Sequence, residues 1–62
     1  MLAIKQIAEQ VSLKLATTAD RYTQIASIKR ELIAAGNEIF ATDRETIDGI
    51  LDILFYEYGF KG

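Results

Sequence analysis

The sequence predicts an all-α fold, in which residues 1–62 form a single compact domain of three helices. Apolar residues recur at the i, i+3, i+4, i+7 spacing of a core-facing helix in three separate segments. Residue types that start or end helices separate these segments, and 50% of the residues are hydrophobic against 26% charged, which is typical of an ordered globular chain. We therefore expect helices at about residues 3–16, 19–35 and 43–58, with a short extended connection allowed at 37–41.

The first two helices are defined by their apolar stripes and by the residues between them. The first stripe contains Ile4, Ile7, Ala8, Val11 and Leu15, and the second contains Tyr22, Ile25, Ile28, Leu32 and Ile33. Thr17 followed by Asp20 has the spacing of a capping box, with Asp in place of the usual Glu or Gln. Gly36 and Asn37 provide the left-handed residue that commonly closes a helix. Two adjacent apolar residues, Ile39 and Phe40, should then hold the connection against the core.

The third helix has the clearest start signal in the chain. Thr42 and Glu45 form a full capping box, which predicts Thr42 as the N-cap, and Gly59 is expected to end the helix. A core-facing stripe comprises Ile47, Ile50, Leu51, Leu54, Phe55 and Tyr58. Gly49 lies inside the helix, where Gly costs about 1 kcal/mol relative to Ala, so a close approach by another helix is the expected reason for it.

Three further apolar residues fall outside that stripe, on the side of Gly49. If the helical spacing continues, Ile53, Tyr56 and Phe60 form a second apolar face together with Gly49. Exposed apolar faces usually mark interfaces, and aromatic residues are their typical anchors. We therefore expect a small protein–protein interaction module, a regulator or adaptor that forms a homodimer through this face and that can also engage a larger protein. The alternative is a monomer in which Ile39 and Phe40 cover the second face.

Enzymatic chemistry is not expected from this composition. The chain contains no Cys and no His, so disulfides, thiolate metal sites and the commonest neutral metal ligand are missing. Asp48 and Asp52 share a helix face, but two surface carboxylates without a third ligand do not make a metal or catalytic site. No Gly-rich phosphate loop is present. We expect no catalytic residue, cofactor, metal or small-molecule substrate.

The charge distribution leaves DNA binding open as the alternative function. Residues 1–30 carry five basic and two acidic side chains, whereas residues 31–62 carry two basic and seven acidic ones. The segment Ile7–Leu13 resembles the first helix of a helix-turn-helix in its apolar spacing and small residue. If the second predicted helix entered the major groove, its contacts would be Arg21, Gln24, Ser27 and Arg30. The overall acidic balance opposes binding to phosphate.

Membrane association is not expected either. No uncharged stretch approaches the roughly 18–20 residues that span a bilayer, and the start of the chain does not look like a signal peptide. A helix lying on the membrane surface would carry Lys and Arg on its polar face, whereas the third helix carries Asp48, Asp52 and Glu57. We therefore expect a cytoplasmic protein.

Overall fold

A computed structural model describes residues 2–62 and confirms the all-α, three-helix fold. Helix α1 spans Ile4–Lys14, α2 spans Arg21–Ala34 and α3 spans Arg44–Tyr58, and a single 3-10 turn, Glu38–Phe40, lies between α2 and α3. Each of the three α-helices packs against the other two. The predicted helices differ from the observed ones by at most two residues at either end.

Both long connections end in an aspartate that caps the next helix. The Asp20 carboxylate accepts a hydrogen bond from the Thr23 amide at 2.8 Å, and the Asp43 carboxylate accepts one from the Thr46 amide at 3.0 Å. The predicted N-cap at Thr42 is therefore wrong by one residue, and Asp20 is itself the cap rather than the partner of an upstream Thr. A carboxylate at the N-cap satisfies a free amide and also places negative charge at the positive end of the helix dipole.

The connection at 37–41 contains the 3-10 turn Glu38–Phe40, so the extended conformation allowed for it is wrong. Gly36 adopts the left-handed conformation at φ +79°, and the Asn37 amide then donates to the Leu32 carbonyl, which turns the chain back over the end of α2. Phe40 is half-buried against the core, as expected, whereas Ile39 points outward and is exposed. A tight turn can direct only one of two adjacent side chains inward.

The core is formed by apolar residues from every α-helix and from the segments that flank α3. They are Ile7, Ala8 and Val11 from α1, Ile28 and Leu32 from α2, Ala41, Ile47, Ile50, Leu51 and Leu54 from the second half, and Phe60. The predicted stripe of α2 is only partly buried, because Tyr22 and Ile33 are exposed. At 100° per residue they lie roughly 120° to 140° around the helix from Ile28, too far for one face to bury all three.

The residues after α3 fold back onto the bundle. Gly59 is left-handed at φ +73°, and the Phe60 amide donates to the Leu54 carbonyl at 2.9 Å. The Phe60 side chain enters the core, and the next residue, Lys61, donates its amide to the Thr17 carbonyl at 2.9 Å. The C-terminal segment thereby closes the end of the bundle where α1 and α3 both terminate.

Buried Gln24 holds this segment in place. Its side-chain amide donates to two backbone carbonyls, those of Ala19 and Lys61, each at 2.8 Å. A buried side-chain amide that lacks hydrogen-bond partners destabilises the fold, so Gln suits this position only while the C-terminal segment is packed against it. Gln24 therefore joins the α1–α2 connection to the end of the chain.

Candidate functional site

The face predicted as an interface is largely internal to the monomer. Phe60 is only 2% exposed, and Ile53 is half-buried against the core. Only Tyr56 stands clear of the protein, at 78% exposure. The exposed position expected for Phe60 is wrong, because Gly59 ends the helix and the helical projection no longer applies to the residue that follows it.

Gly49 is also accounted for within one chain. A Cβ built on Gly49 would lie 3.5 Å from Cδ1 of Ile4, which is ordinary van der Waals contact. The neighbour that approaches Gly49 is therefore α1 of the same molecule. The contact distance also shows that a methyl group would fit, so the approach does not require Gly.

The predicted DNA-contacting residues separate into two pairs. Arg21 and Arg30 are exposed, whereas Gln24 and Ser27 are buried. The buried pair cannot reach a base edge, and the Gln24 amide is already engaged by two carbonyls. The prediction that Gln24 and Ser27 lie on an exposed, base-contacting face is thus wrong. Of the four predicted DNA contacts, only the two basic residues, Arg21 and Arg30, are exposed.

The structure reveals a different surface, a groove between α2 and α3 with a volume of about 360 Å³. Its apolar lining residues are Ile25, Ile47 and Leu51. Its polar lining residues are Arg21, Lys29, Thr42, Arg44 and Asp48. An apolar floor with a predominantly basic rim is suited to binding a partner that offers both apolar and acidic groups.

Exposed apolar side chains extend this groove along α2 and α3. Tyr22 is 82% exposed and Ile33 is 53% exposed, and helical spacing places both on the same side of α2 as Ile25 and Lys29. On α3, half-exposed Phe55 follows Leu51 by one turn. We call the groove together with Tyr22, Ile33 and Phe55 the α2–α3 face.

The charges of the α2–α3 face are segregated by helix. The exposed charges of α2 are all basic, namely Arg21, Lys29 and Arg30. On α3, the exposed acids Glu45, Asp48 and Asp52 follow one another at i, i+3 and i+7, which puts them on one stripe beside the groove. Arg44 is the exception on α3, and it lies 3.7 Å from Asp48 in an exposed i, i+4 ion pair.

A second groove, between α1 and α2, has a different character. Its volume is about 430 Å³, and its lining is mostly polar, comprising Gln6, Ile7, Glu9, Gln10, Glu31, Ala34 and Ala35. Glu31 is already paired with Lys14 at 2.7 Å. With one apolar side chain larger than Ala, this groove has little to offer a partner, and we do not count it as a site.

The titrating groups with shifted pKa values have structural roles. Hydrogen bonds from the Thr23 amide and hydroxyl lower the pKa of Asp20, and hydrogen bonds from the Thr46 hydroxyl and amide lower the pKa of Asp43. Both groups are helix caps. Across residues 2–62, no three His, Cys, Asp or Glu side chains are placed to hold a metal ion.

Sequence reasoning misses the α2–α3 face because its members belong to two stripes that the helical period assigns to the core. Tyr22 and Ile33 fall on the predicted stripe of α2, and Phe55 falls on that of α3, yet all three are exposed. The signal that could have found them is the width of the α2 stripe, which exceeds what one helix face can bury in so small a bundle.

None of the helices described over residues 2–62 has both the length and the apolar character that crossing a membrane requires. No protein-family model, curated protein or solved structure matches the chain.

Proposed function

We propose that this protein is a small, non-enzymatic protein–protein interaction module that acts through its α2–α3 face. The observation that carries the proposal is the exposure of Tyr22 and Ile33 on the helix that borders an apolar groove. Large exposed apolar residues that lie on one face with an apolar groove, rather than singly, usually mark binding surfaces. The cytoplasm suits such a module, because a chain without Cys needs no oxidising compartment.

The groove has the form of a site that accepts side chains. Its floor of Ile25, Ile47 and Leu51 is packed on the core and therefore keeps its shape when a partner binds. The aromatic ring of Tyr22 is available as an anchor, and aromatic residues are enriched among those that dominate binding energy. The basic rim would then exclude partners that bring positive charge to it.

The composition supports a binding role rather than catalysis. Ser and Thr need a neighbouring base to become nucleophiles, and the chain has no His to provide one. The carboxylates with lowered pKa, Asp20 and Asp43, are engaged in capping helices. The alternative of a DNA-binding regulator loses support from the burial of Gln24 and Ser27, which would have read the bases.

The proposal is tested by removing the apolar groups of the face without disturbing the core. The double variant Tyr22→Ser/Ile33→Ser changes two exposed side chains, so we expect it to fold as the parent does. The tagged parent, cross-linked in its host, should be recovered joined to a protein partner or to another copy of itself. The double variant should lose that cross-linked product.

Leu13→Ser is the matched control, because Leu13 is 74% exposed but lies on α1. It should retain the product. If all three proteins give the same cross-linked product, or none gives one, the α2–α3 face is not a binding surface and the proposed function is wrong.

A further inference from the structure

We propose that the α2–α3 face binds a second copy of this chain, in a two-fold dimer that places α2 of each copy on α3 of the other. This inference rests on the proposed function and adds the identity of the partner. The two helices that border the groove differ in charge: the exposed charges of α2 are basic, and those of α3 are acidic apart from Arg44. An interface formed by the same patch on both subunits must be self-complementary.

The charge pattern satisfies this requirement in one orientation. A two-fold axis parallel to the helices, running along the groove, brings α2 of one copy over α3 of the other at the same height. Arg21 and Lys29 of each copy then face α3 of the partner, whose exposed charges beside the groove are the acids Glu45, Asp48 and Asp52 and one base, Arg44, which is paired with Asp48. An axis perpendicular to the helices would instead put basic α2 on basic α2 and acidic α3 on acidic α3, which like-charge repulsion disfavours.

The positions of the charged residues along the helix axes also fit this orientation. The groove is lined from α2 by Arg21, Ile25 and Lys29, and from α3 and the residues before it by Thr42, Arg44, Ile47, Asp48 and Leu51. The Gln24 side chain of α2 donates to the carbonyl of Lys61, which follows the end of α3, so the start of α2 lies beside the end of α3 and the two helices run in opposite directions. This direction places Arg21 at the Leu51 end of the groove and Lys29 at the Arg44 end. In the dimer, Arg21 therefore faces the turn of its partner that carries Asp52, next to Leu51.

The apolar part of the face provides the attraction, and its area is sufficient. The accessible surface of the chain is 4192 Å². One of the three sides of a three-helix bundle is roughly a third of this, whereas a standard interface takes about 800 Å² from each partner. Tyr22, Ile33 and Phe55 would be covered together with the groove floor. An exposed ion pair contributes little to affinity, whereas like charges brought together at an interface are costly, so the charges determine which orientation of the dimer forms.

The test exchanges charge between the two helices. Arg21→Glu alone and Asp52→Arg alone each place like charges opposite one another at both symmetric positions of the homodimer. Each variant should therefore weaken self-association about tenfold or more.

Mixing the two variants should restore association. In the mixed dimer, the carboxylate introduced at position 21 of one variant faces the guanidinium introduced at position 52 of the other. At the second symmetric position, the unchanged Arg21 and Asp52 face each other. Both pairs are attractive, so the mixture should form a heterodimer with the affinity of the parent, measured by sedimentation equilibrium with one variant labelled.

Two controls keep the result interpretable. Lys5→Glu makes the same change in net charge as Arg21→Glu, but at an exposed position on α1, away from the α2–α3 face. It should leave association unchanged. Thermal unfolding of each variant should match the parent, because both positions are exposed and Glu is favourable in the first turn of α2.

The outcomes separate this inference from the proposed function. Weakening by both single variants with rescue on mixing supports the swapped two-fold dimer. If the single variants associate more weakly but mixing them does not restore association, the proposed orientation is wrong. If the parent stays monomeric up to millimolar concentration, the partner is not a second copy of this chain. In that last case, a cross-linked product that depends on Tyr22 and Ile33 would still support the proposed function.

Discussion

Gly49→Ala should stabilise the protein, although Gly49 first suggests a position where no side chain fits. Gly in the interior of a helix is less favourable than Ala by about 0.8–1.0 kcal/mol. The added methyl group would meet Cδ1 of Ile4 at 3.5 Å, an ordinary contact that neither clashes nor leaves a void. We therefore expect the free energy of unfolding to rise by about 1 kcal/mol, because the change removes backbone entropy from the unfolded chain at no steric cost.

Thermal unfolding followed by circular dichroism measures this effect directly. In a domain of 62 residues, a gain of about 1 kcal/mol corresponds to a rise in Tm of about 4–8 °C. Gly36→Ala and Gly59→Ala are matched controls with the opposite sign, since both glycines are left-handed, at φ +79° and +73°. A Cβ in that conformation costs about 1–2 kcal/mol, so both variants should melt below the parent.

A lower Tm for Gly49→Ala would refute this reasoning, because it would show that α1 approaches α3 too closely for a methyl group. The variant should also leave self-association unchanged. If the variant associates more weakly but keeps the Tm of the parent, Gly49 lies in an intermolecular interface, and the assignment of its neighbour to α1 is wrong.

Three further variants test the remaining structural assignments. Phe60→Ala should cost about 3–5 kcal/mol and largely unfold a domain of this size, as measured by urea titration, whereas an interface residue would leave the monomer stable. Gln24→Ala should cost about 1–3 kcal/mol and speed hydrogen exchange at the Lys61 amide, and unaltered exchange there would contradict the link between the two. Asp43→Ala should lower Tm at neutral pH. Hydrogen bonds lower the native pKa of Asp43 below 3.8, so its stabilising effect is complete above that value and is lost as the pH falls through the native pKa. The Tm values of the parent and the variant should therefore converge in acid. A difference in Tm that stays constant with pH would contradict the role of Asp43 as a cap.

The positions of the helices could be predicted because the sequence contains a separate signal for each of them. The 3.6-residue period marks where apolar residues recur, and Gly36 and Gly59 lie where helices end. The exact cap could not be predicted, since Thr42 and Asp43 are both good N-cap residues and only the path of the chain decides between them.

The roles of Phe60 and Gln24 depend on contacts that no local pattern records. Phe60 reaches the core only because Gly59 reverses the chain, and a helical projection carried past that residue places it on the wrong side. Gln24 is buried because a carbonyl 37 residues away accepts its amide proton. Polar residues in a helix are normally assigned to the surface, and the position of such a distant partner follows from tertiary packing.

The second apolar face of α3 and the α2–α3 face differ in how far the neighbouring helices cover them. A helical stripe predicts which residues share a side, but it does not predict how far the neighbouring helices cover them. On α3, Ile4 of α1 approaches Gly49 and Ile53 is half-buried, so that only Tyr56 of the second apolar face stays exposed on the helix, whereas on α2 the ends of the stripe remain exposed. Burial is therefore a property of the whole bundle, which the apolar pattern of a single helix does not record.

A dilution series of the isotope-labelled protein, followed by amide chemical shifts, tests self-association through the α2–α3 face most directly. From millimolar to micromolar concentration, we expect progressive shifts at residues of the face, including Arg21, Ile25 and Leu51, while those around Leu13 on α1 stay constant. Shifts confined to α1 or to Tyr56, or none across the whole range, would contradict the dimer formed through this face.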